Sequence, residues 1–379
     1  MLCSIRSRLL GLAFAAVIPL AALMMAALWS QWQSDRVAAT ERAARFKGLE
    51  GLAKLPAETL DGVQIGLWGN IEFLAEAAAC LERGAVGVGL FRTEFLFLNR
   101  ATPPSEEEQY EAYAAVVRSL ENRPVIIRTL DLGSDKLAAY QELGSGDANP
   151  VLGLRSLRLS LRDRDLFRTQ LRAILRASAL GDVRVLFPLV TTLGEVREAS
   201  AFLKCVASEL IGEGVAVRRD LPIGVMVEVP AAAVMADHLA KEVDFFSIGT
   251  NDLIQYTLAV DRTNETVADL YSAADPAVLR LIAMVVTAAE SRGLEVSVCG
   301  TMGGEPLYTM LLLGLGIRQL GMPPHQLPEV KRVIRGINLE QARTLAEEAL
   351  RLDTSQAVIA LLHDALSRAL PESPVVDRD

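Results

Sequence analysis

Arg92, Arg128 and Arg262 stand near the ends of short apolar runs in this sequence. A guanidinium is a fixed, permanently charged fork that grips phosphate or carboxylate with two parallel hydrogen bonds, so three of them suit a ligand carrying both groups. Glu228 and Asp252 follow two further runs, and two carboxylates with the other positions left to water and ligand oxygens are the usual protein share of a Mg²⁺ site. A buried ion pair with an arginine is the plainer reading of Glu228. Asn251, beside Asp252, offers an amide for an anionic oxygen, and Lys136 a mobile point charge for the same pocket. Arg155 is another candidate, although an arginine at the start of a surface helix is a sufficient explanation of it. Cys299, in Val298-Cys-Gly-Thr-Met-Gly-Gly304, is the one thiol at the end of an apolar run. No Cys/His pair is evident to activate it as a nucleophile, so proton donation to a carbanion is the preferred role. Cys80 and Cys205 fall on predicted helices and read as inert, buried thiols.

These residues need elements that bring them to one place. Eight short runs, 65–71, 86–91, 125–130, 183–190, 223–229, 245–249, 296–300 and 317–322, are apolar on consecutive positions. That is the signature of parallel strands buried on both faces. Helical periodicity fills the gaps over 72–83, 106–120, 164–179, 192–210, 231–240, 277–292 and 305–313. Alternation of this kind over about 280 residues predicts a TIM (β/α)8 barrel, with a doubly wound sheet as the alternative. A barrel places its chemistry at the carboxy-terminal ends of the strands. Asn70, Arg92 to Glu94, Arg128 to Asp131, Pro188, Glu228, Asn251 with Asp252, and Cys299 with Gly300 all fall there. Polar groups ending apolar strands are costly to bury unpartnered, so their convergence on one rim points to a ligand.

The chain has 379 residues, a formal net charge of -9 and 51% hydrophobic residues, with a mean hydropathy of +0.28. That composition excludes a disordered regulator, and the acidic balance argues against a nucleic-acid partner. Four cysteines without close pairs give neither a zinc signature nor a disulfide framework. Part of the hydropathy lies in the uncharged run 9–29, long enough to cross a bilayer as a transmembrane helix. It reads as a signal anchor, a cleaved signal peptide, or a displaced start or fusion remnant, and the arginines on its two sides leave its orientation open. The expected organisation is a leader or anchor over 1–33, a linker over 34–60, a barrel with carboxy-terminal helices over 61–370, and a disordered tail over 371–379. Asp353-Thr-Ser355 reads as the cap that divides the last two helices.

Five ordered motifs give the chain a resemblance. Gly89-Leu-Phe-Arg-Thr-Glu-Phe-Leu-Phe97, Arg128-Thr-Leu-Asp-Leu-Gly-Ser-Asp-Lys136, Gly224-Val-Met-Val-Glu-Val-Pro-Ala231, Asp244-Phe-Phe-Ser-Ile-Gly-Thr-Asn-Asp-Leu253 with Gln255 to Arg262, and Val298-Cys-Gly300 resemble the carboxy-terminal barrel of the phosphoenolpyruvate-utilising enzymes. Among these, enzyme I of the sugar phosphotransferase system is the most similar. The resemblance implies that Arg92 and Arg128 hold the phosphoryl group, that Arg262 and Asn251 bind phosphoenolpyruvate, and that Glu228 and Asp252 carry Mg²⁺. It also implies that Cys299 protonates the methylene carbon as pyruvate forms. Phosphoryl transfer rests on positioning and charge neutralisation more than on covalent chemistry, in keeping with this inventory. A homodimer built through the barrel is implied as well.

Enzyme I carries its phosphorylated histidine, and the surface that docks its phosphocarrier protein, in a separate amino-terminal region that this sequence does not display. His238, His325 and His363 all fall in the barrel region. The expected function is therefore a phosphotransferase barrel that passes its phosphoryl group to a histidine domain supplied in trans. The alternatives are a membrane-tethered module that senses phosphoenolpyruvate without turnover, or another phosphoenolpyruvate-utilising barrel of the pyruvate phosphate dikinase kind. Phosphoenolpyruvate is a cytoplasmic metabolite, which places an active barrel in the cytoplasm, free or anchored to the inner face of the membrane by residues 9–29. Thr301 stands where the family usually has Glu, and Ser134 where it has Gly. The first of these is expected to alter the proton affinity of Cys299.

Overall fold

Seven of the eight apolar runs contain a strand, and the strand of the run 296–300 begins one residue earlier. In the computed structural model, which describes residues 50–133 and 149–370, the strands are β1 (Gly66–Ile71), β2 (Gly87–Phe91), β3 (Val125–Arg128), β4 (Val183–Phe187), β5 (Ile223–Val227), β6 (Phe245–Ile248), β7 (Glu295–Val298) and β8 (Gln319–Met322). Neighbours pair in parallel in sequence order, and β8 closes on β1 with Gly66 opposite Gln319. The chain is a closed (β/α)8 barrel; the doubly wound alternative requires an open sheet and is excluded. Several strands stop short of the apolar runs that predict them. Leu189, two residues past β4, takes a φ of 50°, which turns the backbone out of the ladder and toward the rim.

Alternation along the strands divides the core in two. Leu90, Ile126, Leu186, Met226, Phe245 and Cys299 form a separate cluster, supplied by strands on successive sides of the barrel. The opposite faces, including Phe91, Ile127, Val185, Val225 and Ile248, join a larger cluster with the helices. Sealing the barrel from both sides fixes the strand ends, and with them the rim.

The surrounding helices are α1 (Leu74–Glu82), α2 (Glu106–Ser119), α3 (Ser156–Arg162), α4 (Arg164–Ser178), α5 (Leu193–Gly212), α6 (Pro230–Val234), α7 (Ala236–Leu239), α8 (Thr250–Leu258), α9 (Pro276–Glu290), α10 (Pro306–Gly314) and α11 (Leu327–Arg335). Capping sets several starts. Ser105 Oγ accepts from Glu108 N–H while the Glu108 carboxylate accepts from Ser105 N–H, and Thr192 and Glu195 repeat the arrangement. The single helix expected over 231–240 is broken at Met235, whose ψ of 13° departs from helical geometry, into α6 and α7. After the barrel come α12 (Leu339–Ala349) and α13 (Ser355–Ala369). Thr354 caps α13 by accepting from Ala357 N–H at 3.3 Å.

The compact unit begins at Leu52. Residues 52–60 are bound to it by Lys331 Nζ donating to Ala53 O at 3.0 Å, Arg335 Nη1 to Pro56 O at 2.8 Å, and Leu60 N–H to Ile337 O at 2.9 Å. The apolar run 9–29, the rest of the leader and linker to residue 49, Ser134, Lys136 and the tail 371–379 lie outside the described residues. Among the described residues no helix is long and apolar enough to cross a membrane.

Candidate functional site

Arg128, the last residue of β3, is buried and held on two sides. Its Nη1 lies 2.8 Å from Asp131 Oδ2, and its Nη2 lies 3.1 Å from Glu94 Oε1. The second oxygen of Asp131 takes Arg155 Nη2 at 3.1 Å and the hydroxyl of Ser156. Ser156 presents that hydroxyl from a φ of 52°, a conformation that non-glycine residues keep only where the surroundings enforce it. Behind Arg128, Gln170 Oε1 accepts from Leu130 N–H at 2.9 Å and Gln170 Nε2 donates to Thr93 Oγ1 at 3.1 Å. Thr93 Oγ1 in turn donates to Arg128 O at 3.0 Å. The strand end is thus locked, while Arg128 Nε is buried without a partner.

Glu228 follows β5 and Asp252 lies in the first turn of α8. Glu228 Oε1 accepts from Leu189 N–H at 2.6 Å, a donor aimed by the positive φ that ends β4. A Cβ on Gly249 would stand 2.7 Å from Glu228 Oε2, so glycine there leaves room for the carboxylate. Asp252 Oδ1 lies 3.8 Å from Arg262 Nη2, and its Oδ2 lies 4.0 Å from Arg155 Nη2.

Charge is compensated unevenly across this group. Burial pushes Asp131 up, but Arg128 and Arg155 outweigh it and hold the carboxyl low, at about 2. Burial, then the charges of Asp131 and Asp252, push Glu228 well above the usual carboxylate range, with Arg128 opposing. Burial and Asp131 raise Asp252 against the pull of Arg155, Arg262 and Arg128. The surplus negative charge falls on Glu228 and Asp252, where a hard cation relieves it. Among the described residues no three His, Cys, Asp or Glu side chains form a metal cage of their own. Glu228 and Asp252 offer a hard cation two carboxylates and leave its remaining positions to water and ligand oxygens.

Cys299 follows β7 and is 4% exposed, with its S–H directed at Ile248 O, 3.5 Å away. Burial pushes the thiol up to about 11, with Ser247, Arg128 and Arg92 opposing and Glu228 adding to the rise. It stays protonated through the neutral range, which suits an acid and not a nucleophile. Asn70 Nδ2 donates to Cys299 O at 2.9 Å. Thr301 engages Asn251: its N–H and Oγ1 donate to Asn251 Oδ1 at 2.9 and 2.8 Å. Gly300 permits this approach, since a Cβ on it would stand 1.9 Å from Thr250 Oγ1 and 2.8 Å from Thr250 N.

Arg128, Arg155, Asp252, Arg262, Glu228 and Cys299 are tied together by these contacts and charges, and Asn251 precedes Asp252 in α8. Arg155 follows the surface reading in sequence position, as the residue before α3, but its side chain is only 16% exposed and turns into the site. Arg92 is half exposed and bound to Glu72 at 2.8 Å, outside the Arg128 network. Ser156, Tyr256 and Tyr271 contribute without a signal in the sequence, whereas Glu94 stands with Arg92 at the end of its apolar run. The Tyr256 hydroxyl donates to Val151 O at 2.8 Å and the Tyr271 hydroxyl to Asn251 O at 3.1 Å. Asp131 had a legible signal, its three-residue spacing from Arg128. Cys80 is buried as expected, but Cys205 is exposed on the outer side of α5, its thiol 3.5 Å from Glu209 Oε1.

The model of the family described as "PEP-utilising enzyme, PEP-binding domain" matches residues 47–339, a segment that contains every residue of this site. The phosphoenolpyruvate-protein phosphotransferase of Bacillus sp. (strain S) is 44% identical over 333 residues, covering 87% of this chain and 57% of that protein. Its counterpart in Haemophilus influenzae is 44% identical over 318 residues, covering 84% and 55%. That of Bacillus subtilis is 42% identical over 313 residues, covering 83% and 55%. The chain therefore spans a little more than half the length of these curated relatives. A solved citrate lyase from Burkholderia xenovorans LB400 covers 84% of this chain and 95% of its own at 15% identity, with a TM-score of 0.44, too low to bear on the reading. The matched segment contains the motifs that build the rim, and the chain belongs to the family of phosphoenolpyruvate-utilising enzymes.

Proposed function

We propose that this barrel binds phosphoenolpyruvate with Mg²⁺ and passes its phosphoryl group to a histidine domain or phosphocarrier protein supplied in trans, releasing pyruvate. The observation that carries the reading is one juxtaposition: arginines 128, 155 and 262 share a rim with two under-compensated carboxylates and a buried, protonated Cys299. Arg262 and Asn251 bind the phosphate and carboxylate of the substrate, which charge-assisted hydrogen bonds hold in one orientation. Arg128, fixed by Asp131 and Glu94, and Arg92, after exchanging Glu72 for substrate, neutralise the phosphoryl oxygens. Arg155 steadies Asp131 and Asp252. Glu228 and Asp252 would hold Mg²⁺, which would supply positive charge against the anionic oxygens of the substrate.

In the transfer, the bond between phosphorus and the bridging oxygen breaks as a bond to an imidazole nitrogen of the acceptor forms. The electron pair stays on the oxygen as the enolate of pyruvate. The Cys299 proton then moves to the methylene carbon, and the thiolate recovers a proton from water. Catalysis of this kind needs aligned groups and fixed charge more than covalent participation.

Likeness to enzyme I supports a homodimer and a cytoplasmic location. Anchoring by residues 9–29 is a separate proposal, which a fusion to a reporter of export tests directly. For the function itself, calorimetry with phosphoenolpyruvate and Mg²⁺ is expected to show binding that Arg262→Ala removes; no binding, or binding indifferent to that change, refutes the reading. Mixing the chain with an isolated histidine domain is expected to yield pyruvate and phosphohistidine. Binding without pyruvate across several such domains would favour the sensing alternative.

A further inference from the structure

Asn251 is useful to an anionic substrate only in one of its two amide orientations, with its NH₂ group outward. Its Oδ1 receives two donors from one residue, the N–H of Thr301 at 2.9 Å and the Thr301 hydroxyl at 2.8 Å. The orientation is not arbitrary. A main-chain N–H can only donate, so the Asn251 atom facing it must be the oxygen. With both of its acceptor positions occupied, the oxygen is held and the nitrogen, with its two protons, is left for the ligand. The main chain is fixed as well, by the Tyr271 hydroxyl on Asn251 O at 3.1 Å and by the close approach at Gly300. We infer that Thr301 is a positioning residue, which locks the Asn251 amide with its NH₂ group turned to the anionic oxygens of the substrate. This rests on the phosphoenolpyruvate reading of the site. It makes Thr301 an affinity residue acting through Asn251, and not a modulator of Cys299.

The test is a mutant cycle on the full chain, read by calorimetry with phosphoenolpyruvate and Mg²⁺. Thr301→Val keeps the shape and the main-chain donor but removes the hydroxyl. It is expected to weaken binding roughly 3- to 10-fold, the range that one net hydrogen bond supplies, with an unchanged melting temperature. Thr301→Ser is expected to restore the affinity. In an Asn251→Ala background, Thr301→Val is expected to cost nothing further, because residues acting as a unit are not additive. Equal affinity of Thr301→Val and wild type, or the same fold-loss in both backgrounds, overturns the inference. The Asn251 side-chain NH₂ resonances of the ligand-free protein separate this from the functional reading. If wild type binds no phosphoenolpyruvate, that reading falls, while resonances unmoved by Thr301→Val refute the lock on their own.

Discussion

Replacing Arg128 with methionine asks whether the rim is a charge network or a set of separate pairs. The side chains of Arg128, Glu94 and Asp131 are 11%, 12% and 8% exposed, so solvent screens their interactions little. Removing the guanidinium leaves Asp131 with Arg155 and Glu94 with the Asp131 N–H. Breaking a buried pair costs about 3–5 kcal/mol, because the abandoned charge stays buried, and methionine fills similar volume, which keeps the cavity cost small. The depressed pKa of Asp131, about 2 against 3.8, gives a second measure. About two units at ~1.36 kcal/mol each is ~2–3 kcal/mol of stability, part of which Arg155 preserves. A loss of about 2–4 kcal/mol is therefore expected at pH 7 in urea unfolding. Asp131 has a folded pKa below its unfolded value, so its contribution is complete above about pH 4 and fades as pH falls toward about 2. The difference between wild type and Arg128→Met must narrow across that window. Arg92→Met is the control: its pair with Glu72 is 38% and 47% exposed and is worth at most about 1 kcal/mol. A loss below about 1 kcal/mol for Arg128→Met, or a difference that ignores pH, refutes the network.

Two further outcomes follow from the same electrostatics. Glu228 has a folded pKa above its unfolded one, so its charge costs stability as pH rises through the folded value. Glu228→Gln keeps an acceptor for Leu189 N–H, and is expected to leave the ligand-free melting temperature equal or higher at pH 7 while removing the increase that Mg²⁺ gives wild type; a Mg²⁺ response that survives the change argues against this carboxylate as a ligand. With a pKa of about 11 against an ordinary 9, Cys299 carries about one hundredth of the usual thiolate at pH 8, so iodoacetamide should label it at least ~10-fold more slowly than an ordinary thiol even after allowing for its greater intrinsic nucleophilicity, and a labelling midpoint near pH 9 contradicts the burial argument.

The barrel was legible because its strands are buried on both faces. A strand such as β5 has no polar alternation to confuse it with an amphipathic element, and Glu72, Arg92 and Glu228 follow directly on the ends of β1, β2 and β5. The same rule located Arg128, Glu228, Asp252 and Cys299, since a parallel barrel admits charge only at its rim. Arg92 shows where the rule stops. Its position after β2 places it at the rim, but position does not say which carboxylate it meets, and Glu72, just past the end of β1, binds it first. Partners of this kind are set by the pairing of neighbouring strands, which here brings the ends of β1 and β2 side by side.

The residues that aim the rim carboxylates were hidden for a different reason. Leu189 and Ser156 hold positive φ values of 50° and 52°, a conformation usually signalled by glycine or asparagine, and neither residue type announces it. Both use that conformation to direct a donor at a carboxylate, Glu228 in one case and Asp131 in the other. Composition therefore identifies the charges, while backbone strain that only the folded rim can sustain decides how they point. Thr301 makes the same point from the opposite side. Read along the chain, it is a missing carboxylate two residues from a thiol; in the fold, its hydroxyl lies against Asn251, fifty residues earlier in sequence. A substitution at such a rim is to be judged by the atom it touches across the barrel, and for Thr301 that atom is Asn251 Oδ1.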